Sequence, residues 1–313
     1  MNTLFQNLET KLSQIVVGQT GIIHGLLVAL LSEGHVILEG VPGTAKTLLV
    51  KLLSRLIAAD FRRIQLTPDV LPADVLGTSI FDLNSRTFRL RKGPIFTQVL
   101  LADEINRTPP KTQAALLEAM EERQVTLDGT TIPLSPLFWT VATQNPLEFE
   151  GTYPLPEAQL DRFLFKLVVD YPPASAEKQM LVNALGGFEA RNLDRLPLEP
   201  VITVEQVLEA RAQARQVKVE PPVQDYLLAL IQGSRQQTNL LLGASPRAAV
   251  GWLRAAQSQA WLDGRDFVTP DDIKALAQPL LQHRLILRPE AQLDGTTLDQ
   301  VITALLNRIT VPR

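Results

Sequence analysis

The run Gly40-Val41-Pro42-Gly43-Thr44-Ala45-Lys46-Thr47 constrains this 313-residue chain more than any other stretch. A glycine-rich turn followed by lysine and threonine has the form of a phosphate-binding loop. Backbone N–H groups cradle the anion, the lysine reaches the outer phosphates, and the threonine hydroxyl can ligate Mg²⁺. Such a loop works between a strand and a helix whose N-terminus meets the phosphate. Both are expected: His35 to Glu39 reads as a short buried strand of the parallel kind, and Leu48 to Leu56 carries apolar residues at helical spacing. Ala45 stands where a second glycine is usual. The expectation is that it already belongs to the first turn of the helix, where a Cβ is tolerated.

The chain length suggests about two domains, and 45% hydrophobic with 20% charged residues is ordinary for a globular chain with a large core. A net charge of −3 and a pI near 5.7 give no global basic field for nucleic acid or anionic membrane, which still allows a local basic groove. The absence of cysteine excludes disulfides and thiolate metal sites. Met1 to Gln6 lacks a charged n-region and apolar core, and the apolar run Gly21 to Leu31 is too short to span a bilayer. A cytoplasmic protein without membrane insertion is expected.

Taken in order, residues 3–15 form an amphipathic helix with Leu4, Leu8, Leu12 and Ile15 on one stripe, and Val16 to Gln19 break it before a second helix over 20–32. This segment could pack over a nucleotide base or cover the sheet edge. Arg62 to Leu66 reads as a strand. Ile80 to Asp82 and Thr87 to Leu90 flank Asn84-Ser85 as a hairpin, closed by Gly93-Pro94. Phe81 and Phe88 there suit either ordinary hairpin packing or a moving arm that grips a substrate.

Gln98 to Glu104 is an apolar strand ending in two carboxylates. Beside a phosphate loop, Asp103 is placed to hold Mg²⁺ and Glu104 to polarise an attacking water. A helix begins near Pro109-Pro110, with apolar positions at Ala114, Leu117 and Met120, and Asp128-Gly129 turns a second hairpin. Phe138 to Ala142 is a buried strand delivering Thr143, Gln144 and Asn145 at its carboxyl end, where ligands bind in open α/β sheets. Asn145 could bond a phosphate or orient the water, or could simply form the turn before Pro146. Leu155 to Arg162 forms a short helix before a last core strand over 163–169. Arg162 at that helix end could be an ordinary surface residue.

Beyond Pro172-Pro173 the chain reads as helical. Thr203 and Gln206 form a capping box, Pro221-Pro222 opens a helix ending near Gly233, and Ser245-Pro246 and Thr269-Pro270 each place a cap before a proline at the first helical position. A final helix is expected over 297–308, and Leu285 to Leu287 as a short strand or extended link.

The phosphate loop, Leu100 to Arg107, the strand ending in Asn145, Leu155 to Phe163 and Gly243 to Arg247 occur in the order of the AAA+ ATPases. Alanine before the loop lysine and the run Asp103-Glu104-Ile105-Asn106-Arg107 resemble the MoxR family. The resemblance covers nearly the whole chain. It implies an α/β nucleotide domain over 1–172 with a parallel five-stranded sheet of order 5-1-4-3-2, a helix-2 insertion hairpin near 78–92, and an all-α lid domain over 173–313. It also implies a homo-oligomeric ring, usually hexameric, and hydrolysis of ATP with Mg²⁺. Gly40 to Leu48 would bind nucleotide, Thr47 and Asp103 Mg²⁺, and Glu104 would activate water. Asn145 matches the first sensor, Arg162 the arginine finger acting on a neighbour's nucleotide, and Arg247 the second sensor, in cis or in trans. Gly18 and Gln19 match a segment near the adenine, and Arg107 and Glu157 carry no assigned role. The family's implied work is chaperone-like maturation or metal insertion, often with a von Willebrand factor A-domain protein. The alternatives are a magnesium-chelatase-type motor subunit and a DNA-translocating, helicase-like ATPase.

Overall fold

The structure is a computed structural model that describes residues 2–82, 86–147, 151–189 and 198–312. Five parallel strands form its central sheet: β1 (His35–Glu39), β2 (Phe61–Gln65), β3 (Val99–Asp103), β4 (Trp139–Gln144) and β5 (Phe163–Val168). Their order across the sheet is β2-β3-β4-β1-β5, the expected 5-1-4-3-2 read from the other edge. The three inner strands are nearly continuous apolar runs because helices cover both faces, whereas Arg62 and Arg63 of the edge strand β2 are exposed. Side chains alternate between two cores. Val36, Leu38, Val99, Leu101 and Val141 face the helices Asn2–Ile15, Thr20–Leu31 and Lys46–Leu56, while Ile37, Leu100, Ala102 and Ala142 face the helix Pro110–Glu122.

That last helix differs from the sequence reading. Ala114 is exposed, and the buried face runs through Thr112, Gln113, Leu116, Leu117 and Met120. Gln113 is tolerated inside because its amide donates to the carbonyls of Ile105 and Tyr153, at 3.1 and 2.9 Å.

A short helix, Pro72–Leu76, leads into the insertion hairpin, whose strands Gly77–Asp82 and Thr87–Lys92 pair antiparallel with Phe81 opposite Phe88. The expected Asn84-Ser85 turn and the side chain of Phe88 lie outside the described residues. The second hairpin turns at Asp128 and Gly129 as expected, both at positive φ.

The C-terminal part is helical. Side-chain caps from Thr203, Ser245, Thr269 and Thr297 start four of its helices. The helix that opens at Pro221 runs on to Arg235 instead of stopping near Gly233. Gly233 serves packing: a Cβ there would lie 3.0 Å from Leu305 of the last helix. Ile286–Leu287 is a strand and pairs with Leu240–Leu242. Among the described residues no helix is long and apolar enough to cross a membrane.

Candidate functional site

The sequence predicts chemistry at the carboxyl ends of the central strands, and a cleft of about 960 Å³ lies there. Gly40, Pro42 to Leu48, Asp103, Glu104, Asn145 and Gln19 line it, together with Arg63 and Thr143. The loop starts where β1 ends. Gly40 is required at that point because a Cβ would sit 2.3 Å from the Val169 carbonyl oxygen. Ala45 departs from expectation: it is not in the first right-handed turn but caps the helix Lys46–Leu56 in the left-handed region, at φ 62° and ψ 17°. A non-glycine residue there costs roughly 1–2 kcal/mol, which the closed loop must offset.

Lys46 folds over the loop, its Nζ donating to the carbonyls of Gly40 and Val41 at 2.6 and 2.7 Å. Burial lowers its pKa, and the carboxylates Asp103 and Glu104 pull it back up. Val41 contributes this carbonyl without lining the cleft.

Asp103 is buried at the end of β3, and both its oxygens are engaged. Oδ1 accepts from the Thr143 hydroxyl, and Oδ2 accepts from Arg63 Nε and Nη2 at 2.9 and 2.6 Å. Thr143 Oγ1 also accepts from the Glu104 N–H at 2.9 Å, so one hydroxyl fixes both acidic residues. Glu104 is left-handed, at φ 58° and ψ 53°, and its Oε2 pairs with Arg107 Nη1 at 3.1 Å. Arg107 thereby gains a contact that the sequence did not suggest. Asn145 forms the turn, its Oδ1 accepting from Leu147 N at 3.2 Å, and it also lines the cleft.

At the far end, Ile15, Val16 and Val17 face Pro172, Met180, Ala184 and Phe188. This apolar slot suits a flat ring. The N-terminal segment packs on the core through Phe5, Leu8 and Leu12, as the covering role requires, and its end at Ile15 to Val17 lines the cleft. Gln19 Nε2 donates to the Asp170 carbonyl at 2.9 Å. Gly18 does not line the cleft. It sits at φ 81°, where a Cβ would meet Ala176 and Pro172 at 2.8 and 2.9 Å, so it lets this segment close against Pro172 and the helix Ala174–Leu185.

Two nominated residues stand elsewhere. Neither Arg162 nor Arg247 lines the cleft, and both pair with Glu121. Arg63 and Glu121 escaped the sequence reading, which placed Thr143 at the strand end but gave it no role. The only signal for Arg63 was a pair of arginines in a short strand, one of which must face the acidic strand end.

Thr47 and Asp103 offer hard oxygen donors in one cleft beside the glycine-rich loop. No group of three or more His, Cys, Asp or Glu side chains stands together among the described residues. The Thr47 and Asp103 oxygens fit Mg²⁺, which takes few protein ligands and completes its shell with phosphates and water.

A parallel 5-1-4-3-2 sheet, a phosphate loop after β1, paired acids after β3, a polar residue after β4 and a helical C-terminal part define a AAA+ ATPase. The comparisons agree. The pattern of the ATPase family associated with various cellular activities (AAA) matches residues 35–165, and that of the AAA lid domain matches residues 232–305. Chaperone MoxR1 of Mycobacterium tuberculosis is 39% identical over 97% of this chain and 81% of its own length. An uncharacterised Bacillus subtilis protein, YeaC, is 45% identical over 96% of this chain and 92% of its own. The crystal structure of a proposed ATPase from Cytophaga hutchinsonii superposes with a TM-score of 0.91 at 38% identity, covering 100% of this chain and 96% of that one. The chain belongs to the MoxR family of AAA+ ATPases.

Proposed function

We propose that this chain binds ATP with Mg²⁺ in the cleft, hydrolyses it within a homo-oligomeric ring whose neighbouring subunit completes the site, and uses the cycle to remodel a protein partner. The observation that carries the reading is the linked set Asp103, Thr143 and Glu104 beside the loop lysine, all in one cleft. Thr47 and Asp103 would hold Mg²⁺, which offsets phosphate charge when bound. Lys46 leaves its loop carbonyls for the outer phosphates, and Glu104, held by its backbone and by Arg107, accepts a proton from the attacking water. Asn145 orients that water. Arg162 and Arg247, standing outside their own cleft, act on the nucleotide of a neighbour. The division at 172/173 into nucleotide and lid domains belongs to the same proposal, as do a hexameric ring and a von Willebrand factor A-domain partner.

The purified chain should turn over ATP in Mg²⁺. Lys46→Ala should lose tight ATP binding, whereas Glu104→Gln should bind ATP and hydrolyse it very slowly. Near-normal turnover by Glu104→Gln would remove Glu104 from the role of base.

A further inference from the structure

The helix Pro110–Glu122 ends near a carboxylate that the reading above leaves unused. Glu121 Oε2 lies 2.9 Å from Arg162 Nε, and Oε1 accepts from Arg247 Nη2. The two arginines reach it from different parts of the chain. Arg162 follows the short helix Glu157–Leu160, and Arg247 stands in the first turn of the helix Pro246–Leu262. Two guanidiniums gathered at one point repel each other, and a carboxylate between them offsets that repulsion.

The scaffold around this point is fixed. Asp161, next to Arg162, accepts from the Ser245 hydroxyl at 2.8 Å and from Arg284 Nε at 2.7 Å. Arg284 is buried and donates further to the carbonyls of Phe163 and Leu164, at 2.5 and 2.8 Å. Arg162 and Arg247 keep 28% and 48% of their side chains exposed, so the pair faces outward from a rigid base. Arg284 and Asp161 pair with each other in this base, so Glu121 alone stands between the two outer guanidiniums.

We propose that Glu121 is a positioning residue that holds Arg162 and Arg247 as a pair, converged for a phosphate of the nucleotide in the neighbouring subunit. The inference rests on the reading that both arginines act in trans. An incoming phosphate then meets two guanidiniums already gathered, and the ordering of two long side chains need not accompany each encounter. The shared carboxylate also makes the helix Pro246–Leu262 and the turn before the last core strand deliver their arginines together.

Glu121→Gln keeps the size of the side chain and removes its charge. Kcat for ATP hydrolysis should fall about ten- to a hundredfold, the loss that follows a misplacement of about 1 Å. KM for ATP should change less than about twofold, because the subunit's own cleft is intact. Glu122→Gln, the exposed neighbour, should behave as wild type. Lys46→Ala subunits carry an intact arginine pair, so adding them to Glu121→Gln subunits should restore part of the turnover. Arg162→Ala subunits should restore none. Wild-type kcat in Glu121→Gln, a change confined to KM, or no restoration by Lys46→Ala subunits in rings shown to be mixed would overturn the proposal. Glu121→Ala, measured identically, carries the test if the glutamine variant fails to fold. Full turnover in both Arg162→Ala and Arg247→Ala would overturn the trans reading itself, and the proposal with it.

Discussion

Arg63 and Asp103 meet on a single oxygen: Nε and Nη2 of the arginine both donate to Oδ2, at 2.9 and 2.6 Å. Thr143 holds the other oxygen, so the carboxylate proposed to serve Mg²⁺ is oriented from both sides. Arg63→Ala should release one side. A hydrogen bond to a charged group contributes about 1.5–3 kcal/mol, so affinity for MgATP should fall roughly ten- to a hundredfold. Titration of a fluorescent ATP analogue should show this loss in Mg²⁺ and little loss in EDTA. An equal loss in both would make Arg63 a direct phosphate contact.

Phe81 tests the insertion hairpin. The residue is 49% exposed, far from the burial of a core phenylalanine. Phe81→Ala should therefore cost less than about 1 kcal/mol of stability, against the roughly 3–5 kcal/mol of a buried phenylalanine. Basal ATP turnover should hold, while stimulation by a protein client should drop. A thermal melt beside a client-dependent assay reads both. A core-sized loss of stability would return the ring to a packing role.

Acid should destabilise the fold through His35. Its Nδ1 accepts from Thr140 N at 3.0 Å, and its Nε2 donates to the Met120 carbonyl at 3.3 Å. Burial lowers its pKa to about 4 from the ordinary 6.5. The unfolded imidazole thus takes a proton that the folded one refuses. This contribution is complete above pH 6.5 and is lost as pH falls towards 4, up to roughly 3 kcal/mol at 1.36 kcal/mol per unit. His283, also lowered by burial, acts in the same sense. His24, raised chiefly by its hydrogen bond to Glu9, acts oppositely and loses its contribution as pH rises. The melting temperature should already fall between pH 6.5 and about 5, above the carboxylate range. A flat profile there would contradict the burial of neutral His35.

Sequence made legible what neighbours along the chain decide. The phosphate loop, the apolar strand ending in Asp103-Glu104, and the caps at Thr203, Ser245 and Thr269 each declare themselves within a few residues. Ala45 misled because its left-handed turn is imposed by closure of the loop, which composition does not reveal. Gly233 misled because its partner, Leu305, is remote in sequence. Arg63 reaches Asp103 across 40 positions, and Arg247 reaches Glu121 across 126. Such contacts depend on strand order and lid docking, and no local pattern encodes them.

The central claim is that one subunit's cleft needs a neighbour's arginines, and turnover per subunit across the assembly range tests it most directly. Lys46, Asp103, Glu104 and Asn145 line one cleft, while Arg162 and Arg247 stand on Glu121 outside it. Arginine fingers contribute about 10³–10⁵ in rate. ATP binding should therefore be the same in monomer and ring, while hydrolysis per subunit should rise steeply as rings form and stay low at every concentration in Arg162→Ala. A strictly monomeric wild-type chain hydrolysing ATP at the full rate would contradict the account.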